Sequence, residues 1–282
     1  MAAASIQAFF HADTQTYSYL LVSGQDAAIV DPVMDFNPVS GAASFGFVDH
    51  LLAAVPANCI VRWILETHVH ADHLSAAAYL RQKTGAQVVI GAHVDQVHTH
   101  FVSLFQLDGG LQGFDKFVHE GDVLDLGESR IRVLETPGHT PACVSYVLDE
   151  QHVFVGDTFF MPDVGTARTD FPGGDAHTLY HSLQKLLSFP AATQFYMCHD
   201  YPPAGREPVY LCTVAAQQNN IHLQGHSEQS FVQVRETRDR QLSPPRLILP
   251  SLQVNLRGGD LPPAQANGIV YLVLPVNQLG HK

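Results

Sequence analysis

Thr67-His68-Val69-His70-Ala71-Asp72-His73 follows directly on a β-like run, Val61-Arg62-Trp63-Ile64-Leu65-Glu66, and leads into good helix formers from Ala76 to Arg81. In an extended segment residues two apart point the same way, so His68 and His70 can face one point in space. The turn toward the helix brings Asp72 and His73 to a neighbouring point. Imidazole and carboxylate are ligands that suit Zn, Fe or Mn, and the segment contains no thiolate. Four potential ligands packed this closely supply only part of a metal shell, so the rest must come from elsewhere in the chain.

Three further candidates stand in the same local context, just past the end of a β-run: His139 in Thr136-Pro137-Gly138-His139-Thr140, Asp157 in Gly156-Asp157-Thr158, and His199 in Cys198-His199-Asp200-Tyr201. Strand ends at one edge of a sheet can converge on one site. The full set of five His and two Asp is enough for two adjacent metals bridged by Asp157, or for one metal with a hydrogen-bonded surround. Spacing alone leaves both arrangements open.

Outward from this segment, Tyr17 to Val22 and Ala27 to Val30, separated by Ser23-Gly24-Gln25-Asp26, read as a hairpin that Asp31-Pro32 ends. A helical stretch spans Gly46 to Val55, and a second helix is expected from His73 to Lys83, stopped by Gly85. After a helix over Val94 to Leu107 come β-runs at Asp122 to Leu126, Arg130 to Leu134, Cys143 to Leu148 and His152 to Val155, an antiparallel meander by their punctuation. A helix over Ala176 to Leu187, N-capped by Asp175, precedes the strand Gln194 to Cys198, and helical stretches are expected over Tyr210 to His222 and Ser230 to Leu242. Strands and helices in two alternating halves imply two β-layers covered by helices, an α/β architecture. Residues 1–282 read as one domain, with the Pro- and Gly-interrupted segment 243–282 an extension packed on the core.

Composition narrows the function. The net charge of −12, from 15 Lys+Arg against 27 Asp+Glu, speaks against a nucleic-acid or anionic-membrane surface. No apolar run approaches the ~20 residues of a membrane helix, and the N-terminus lacks the features of a signal peptide, so a cytoplasmic protein is expected. Four cysteines, Cys59, Cys143, Cys198 and Cys212, form no C-x-x-C pair and read as reduced, buried thiols. Histidine stands out: 17 residues, more than Lys and Arg together. His93, His98 and His100 do not share one helix face and read as solvated surface. His177 and His181 are an i, i+4 pair without the Glu that a zinc-binding helix motif places after the first His.

The chain resembles the metallo-β-lactamase superfamily, whose H-x-H-x-D-H motif, later His, bridging Asp and final His match His68, His70, Asp72, His73, His139, Asp157 and His199. The resemblance runs over residues 5 to 200 and implies an αββα sandwich with the site at one edge of its sheets. Within the superfamily, Gly156-Asp157-Thr158-Phe159-Phe160 followed by Gly165-Thr166-Ala167-Arg168-Thr169-Asp170-Phe171 looks like the persulfide (sulfur) dioxygenases, as do Thr16 to Leu20, Asp31-Pro32-Val33 and the tail from Arg246 to Leu261. That branch implies one Fe(II) per chain held by His68, His139 and Asp157, with His70, Asp72, His73 and His199 in supporting catalytic roles. It implies glutathione persulfide and O2 as substrates. A peptide thiol with two carboxylates and one ammonium needs local cations, and Arg168, Arg206 and Arg246 are the candidates, with Tyr201 as a hydroxyl donor. The same seven residues occur in the glyoxalase II thioesterases, where they hold two metals, so a dinuclear hydrolase with two Zn or mixed metals is the alternative. The net charge and the lack of a large inserted domain argue against a nuclease of the superfamily, and retention of all seven residues argues against a non-catalytic scaffold. A homo-oligomer is an additional expectation.

Overall fold

The computed structural model describes residues 4–107 and 110–278; the first three residues of the N-terminal stretch and the last four of the tail lie outside it. Strands β1 (Ser5–His11), β2 (Thr16–Ser23) and β3 (Asp26–Val30) form an antiparallel ribbon. After β4 (Val33–Asn37), β5 (Ala42–Ser44) and helix α1 (Gly46–Ala53), strand β6 (Ile60–Leu65) adds to that ribbon in parallel. Then follow β7 (Leu74–Ser75), α2 (Ala77–Thr84), β8 (Gln87–Gly91), α3 (Val94–Phe105) and β9 (Lys116–Val118). The first sheet has the order β1-β2-β3-β6-β8-β9.

The second sheet begins with the expected antiparallel meander, β10 (Val123–Leu126), β11 (Ser129–Glu135), β12 (Val144–Leu148) and β13 (His152–Phe154). Helix α4 (Ala176–Leu187) crosses over to β14 (Gln194–Tyr196), which runs parallel to β13 and pairs with β15 (Leu211–Thr213). Helices α5 (Val214–Gln217), α6 (Glu228–Asp239) and α7 (Ile248–Asn255) complete the chain.

The period of two along β2 shows how the layers assemble. Tyr17, Tyr19 and Leu21 point between the sheets, where they meet Leu124, Ile131, Val133, Tyr146 and Phe154, while Leu20 faces outward to Val48, Leu51 and Leu80 of α1 and α2. On the far side Val147 and Val153 pack under Leu179, Leu183 and Leu186 of α4 and Phe231 of α6. Helix, sheet, sheet, helix is the αββα sandwich, and burying a face on each side of each sheet is what stabilises it. Among the described residues no helix is long and apolar enough to cross a membrane.

Two expected helices differ. The second begins at Ala77, four residues later than His73, because Leu74–Ser75 pair antiparallel with Val33 and Met34 and fix the chain in extended form. The stretch from Tyr210 is strand first, since Leu211–Thr213 pair with β14, and the helix after it ends at Gln217. Thr213 caps that helix by accepting from the Ala216 amide. The segment after Ser243 contains α7, and Leu252 of that helix and Leu256 just past its end pack with Val94, Val97 and Phe101 of α3.

Candidate metal centre

Each candidate ligand sits just past the carboxyl end of a strand at one edge of the sandwich: His68 after β6, His139 after β11, Asp157 after β13 and His199 after β14. Two glycines allow the close approach. Gly138, before His139, has φ 134°, and a Cβ there would lie 2.4 Å from the Leu179 backbone of α4. Gly156, before Asp157, has φ 54°, and a Cβ would lie 2.8 Å from Thr67 Oγ1. A larger residue at either place would push a ligand off the site.

The seven residues fall into two groups. Donor atoms of His68, His139 and Asp157 lie within 4.8 Å of one another, as do those of His70, Asp72, His73 and His199. In the first group His139 Nδ1 donates to the Arg168 carbonyl at 2.7 Å, and His68 Nδ1 lies 3.0 Å from Thr67 Oγ1. Both imidazoles thereby turn Nε2 toward Asp157 Oδ2, at 3.8 Å each. In the second group Asp72 stands between His73 (3.4 Å) and His199 (3.1 Å), and His199 Nε2 also lies 3.5 Å from Asp157 Oδ1.

Beneath them is a buried layer that sequence reasoning missed. Asp31, itself in the left-handed region at φ 47°, accepts from the Thr67 amide (2.8 Å), Thr67 Oγ1 (3.0 Å) and His70 Nε2 (3.1 Å). Glu66 lies 3.4 Å from His70 and accepts from Ser75 Oγ. Asn255 of α7 donates to the carbonyls of His70 and His73 and accepts from the Ser75 amide, each at 2.8 Å. Asp31-Pro32 carried a signal as a strand end; Asn255 carried none.

Burial and charge set the protonation. Burial works against a proton on His70, yet the carboxylates of Asp31 and Glu66 outweigh it and hold its pKa well above the usual value. Burial and the neighbouring imidazoles push His68 well down. His73 falls to about 4, chiefly by burial, so both keep a free lone pair at neutral pH. Burial raises Asp157, while His199 and His73 overcome burial to hold Asp72 far below the carboxylate range.

His68 Nε2, His73 Nε2, His199 Nε2, Asp72 Oδ2 and Asp157 Oδ1 are buried without a hydrogen bond. Orphaned polar atoms cost about 1–3 kcal/mol each, and cations bound within the two groups would relieve them. The residues fit a metal centre.

A cavity of about 670 Å³ opens over Asp72, His139 and Asp157, with Phe160, Val164 and Phe171 as apolar wall. Of the residues proposed from the sequence to meet substrate, Arg168, Arg246 and Tyr201 line it, and so do Arg235 and Arg238, which sequence reasoning did not single out. Arg206 does not line it: its guanidinium is held by Asp163 and Asp200, at 2.6 to 3.1 Å. Arg168 is braced by Asp170 at 2.6 and 2.7 Å and by the Ser243 carbonyl at 2.8 Å. Tyr201 stacks on His199, with ring centroids 5.6 Å apart.

The profile of the metallo-beta-lactamase superfamily matches residues 11–199. The chain belongs to the metallo-beta-lactamase superfamily. Among superfamily relatives it is 48% identical to a probable metallo-hydrolase of Burkholderia pseudomallei (strain 1710b), over 98% of this chain and all of that one. It is 42% identical to glyoxylase B2 of Dictyostelium discoideum over 98% of each. Against the mitochondrial persulfide dioxygenase ETHE1 of Homo sapiens the identity is 32%, over 66% of this chain and 64% of that one. The crystal structure of ETHE1 from Myxococcus xanthus superposes with a TM-score of 0.74 at 30% identity, over 91% of this chain and all of that one.

Proposed function

We propose that this protein is a non-haem iron(II) persulfide dioxygenase that oxidises glutathione persulfide with O2 and water to sulfite and glutathione. The observation that carries the reading is the trio His68, His139 and Asp157: two imidazoles and one carboxylate, closed on the protein side and open to the cavity through His139 and Asp157. Two His and one carboxylate with open positions is the ligand set of oxygen-activating non-haem iron. Likeness to ETHE1 in sequence and in fold supports it. Iron held there supplies the redox chemistry with O2.

The chain's own residues do the rest. Arg238 and Arg246 are exposed at the cavity rim and make no ion pair or side-chain hydrogen bond among the described residues, so they are available for the carboxylates of glutathione. Asp13, also on the lining, suits its ammonium. Phe160, Phe171 and Val164 shield the sulfur end from bulk water. Arg168, already paired with Asp170, positions His139 through its own carbonyl. Overall, glutathione persulfide, O2 and water yield glutathione, sulfite and two protons; the terminal sulfur loses four electrons and O2 gains them.

A second reading rests on the intact group of His70, Asp72, His73 and His199: a glyoxalase II-like hydrolase of glutathione thioesters with two Zn or mixed metals, for which the likeness to glyoxylase B2 speaks. Iron-loaded protein, purified without oxygen and given glutathione persulfide, separates the two. Oxygen uptake with sulfite in step is the expected result. No uptake, with hydrolysis of S-lactoylglutathione, would establish the hydrolase instead.

A further inference from the structure

We propose that His93, His119 and Glu135 form a second metal site, at the surface, that takes a divalent transition ion such as Zn2+. The three come from three strand ends: His93 follows β8, His119 follows β9, and Glu135 is the last residue of β11. Their donor atoms lie within 4.8 Å of one another. His93 Nε2 is 3.5 Å and His119 Nδ1 3.6 Å from the same oxygen, Glu135 Oε1. The imidazole planes stand at 84° with centroids 6.1 Å apart, so the rings converge on the carboxylate and do not stack. Two imidazoles and a carboxylate with an open outer position are a common Zn2+ set.

The surroundings favour an ion over a simple cluster. The side-chain nitrogen of Gln96, Nε2, lies 3.3 Å from His93 Nδ1 and fixes the ring with its Nε2 toward Glu135. The nearby cation is engaged elsewhere, since Lys185 Nζ pairs with Glu120 at 2.7 Å and reaches only the backbone carbonyl of Glu135. Among the described residues the Glu135 carboxylate has no ion-pair partner other than the two imidazoles. An ion here would clip β8 and β9 of the first sheet to the end of β11 in the second, four residues ahead of His139 in the chain. The site is independent of the reaction proposed for the buried centre.

The test is equilibrium dialysis of the full chain against Zn2+, after its buried centre has been loaded and excess metal removed. Side chains are 44% exposed at His93 and 63% at His119, so H93A and H119A leave the core intact, and H181A, from the exposed His181–Glu228 pair at 3.3 Å, controls for adventitious surface histidines. Wild type and H181A are expected to bind one Zn2+ more than H119A, or to bind it at least ~10-fold more tightly, and E135Q to behave as H119A. Added Zn2+ should raise the melting temperature of wild type more than that of H119A, since binding to the folded state stabilises it. Equal stoichiometry and affinity in wild type and H119A, or equal loss in H181A, would overturn the proposal.

Discussion

The two halves of the metal centre are built differently. In the trio of His68, His139 and Asp157, each imidazole is held at Nδ1 by a neighbour and turns Nε2 toward Asp157 at 3.8 Å, a distance that leaves the carboxylate short of a hydrogen bond to either ring. In the quartet, Asp72 is already close to His73 and His199, and His70 is held by Asp31 over Glu66. Both groups keep buried polar atoms without a hydrogen bond, His68 Nε2 and Asp157 Oδ1 in the trio and His73 Nε2, His199 Nε2 and Asp72 Oδ2 in the quartet, but Asp72 has an imidazole at 3.1 Å whereas the nearest to Asp157 stands at 3.5 Å. On the proposed reading, the better-compensated group orients neighbours and water and the other binds the ion.

That contrast is broken most directly at Asp157. D157A removes the carboxylate of the trio, and loss of bound iron with a fall in turnover on the order of 10³-fold or more is expected; metal analysis beside the rate would expose a variant that keeps its iron. A smaller effect is expected at Asp72. D72N leaves the trio intact, so one iron per chain should remain while activity drops about 10–100-fold, and a drop from two metals to one would instead make the quartet a ligand set.

His222 sharpens the comparison as a buried histidine outside both groups. Burial and the Arg235 charge depress its pKa to about 3, and its Nδ1 accepts from the Thr166 amide at 3.0 Å. An unfolded chain binds a proton there below about 6.5, which the folded chain refuses until about pH 3. Stability contributed by this group is complete above that window and is lost as pH falls through it, by up to roughly 1.4 kcal/mol per pH unit. Urea unfolding at several pH values should show a shallower acid slope in H222Q than in wild type, with or without metal, whereas acid sensitivity arising at the centre should depend on metal. The smallest effect is expected at the rim: R246A should raise KM for glutathione persulfide about tenfold with kcat nearly unchanged, since a charge-assisted hydrogen bond contributes ~1.5–3 kcal/mol. An unchanged KM would remove Arg246 from substrate binding.

Legibility in the sequence followed the range of the interactions. His68, His70, Asp72 and His73 are contiguous, and the other three each follow a β-run, so strand ends meeting at one edge brought the seven into view. The apolar β-runs of the first hairpin and the turn residues of the meander were local signals and gave two β-layers covered by helices; the αββα sandwich itself came with the family resemblance. Asn255 was not legible, because its partners His70, His73 and Ser75 are 180 or more residues away. The start of α2 was misplaced for the same reason: pairing of Leu74–Ser75 with β4 overrode helix propensity. Arg206 stands near the motif in sequence, yet Asp163, 43 residues away, helps draw it off the cavity. His119 and Glu135 had no pattern linking them to His93, since it is the packing of β8, β9 and β11 that brings them together.

The central claim is that the trio by itself makes the working centre. Iron(II) titrated anaerobically into metal-free protein, with oxygen uptake on glutathione persulfide measured after each addition, tests it most directly. Uptake that rises linearly and saturates at one iron per chain is the expected result. Uptake that saturates only at two irons per chain, or never appears while S-lactoylglutathione is hydrolysed, would contradict it.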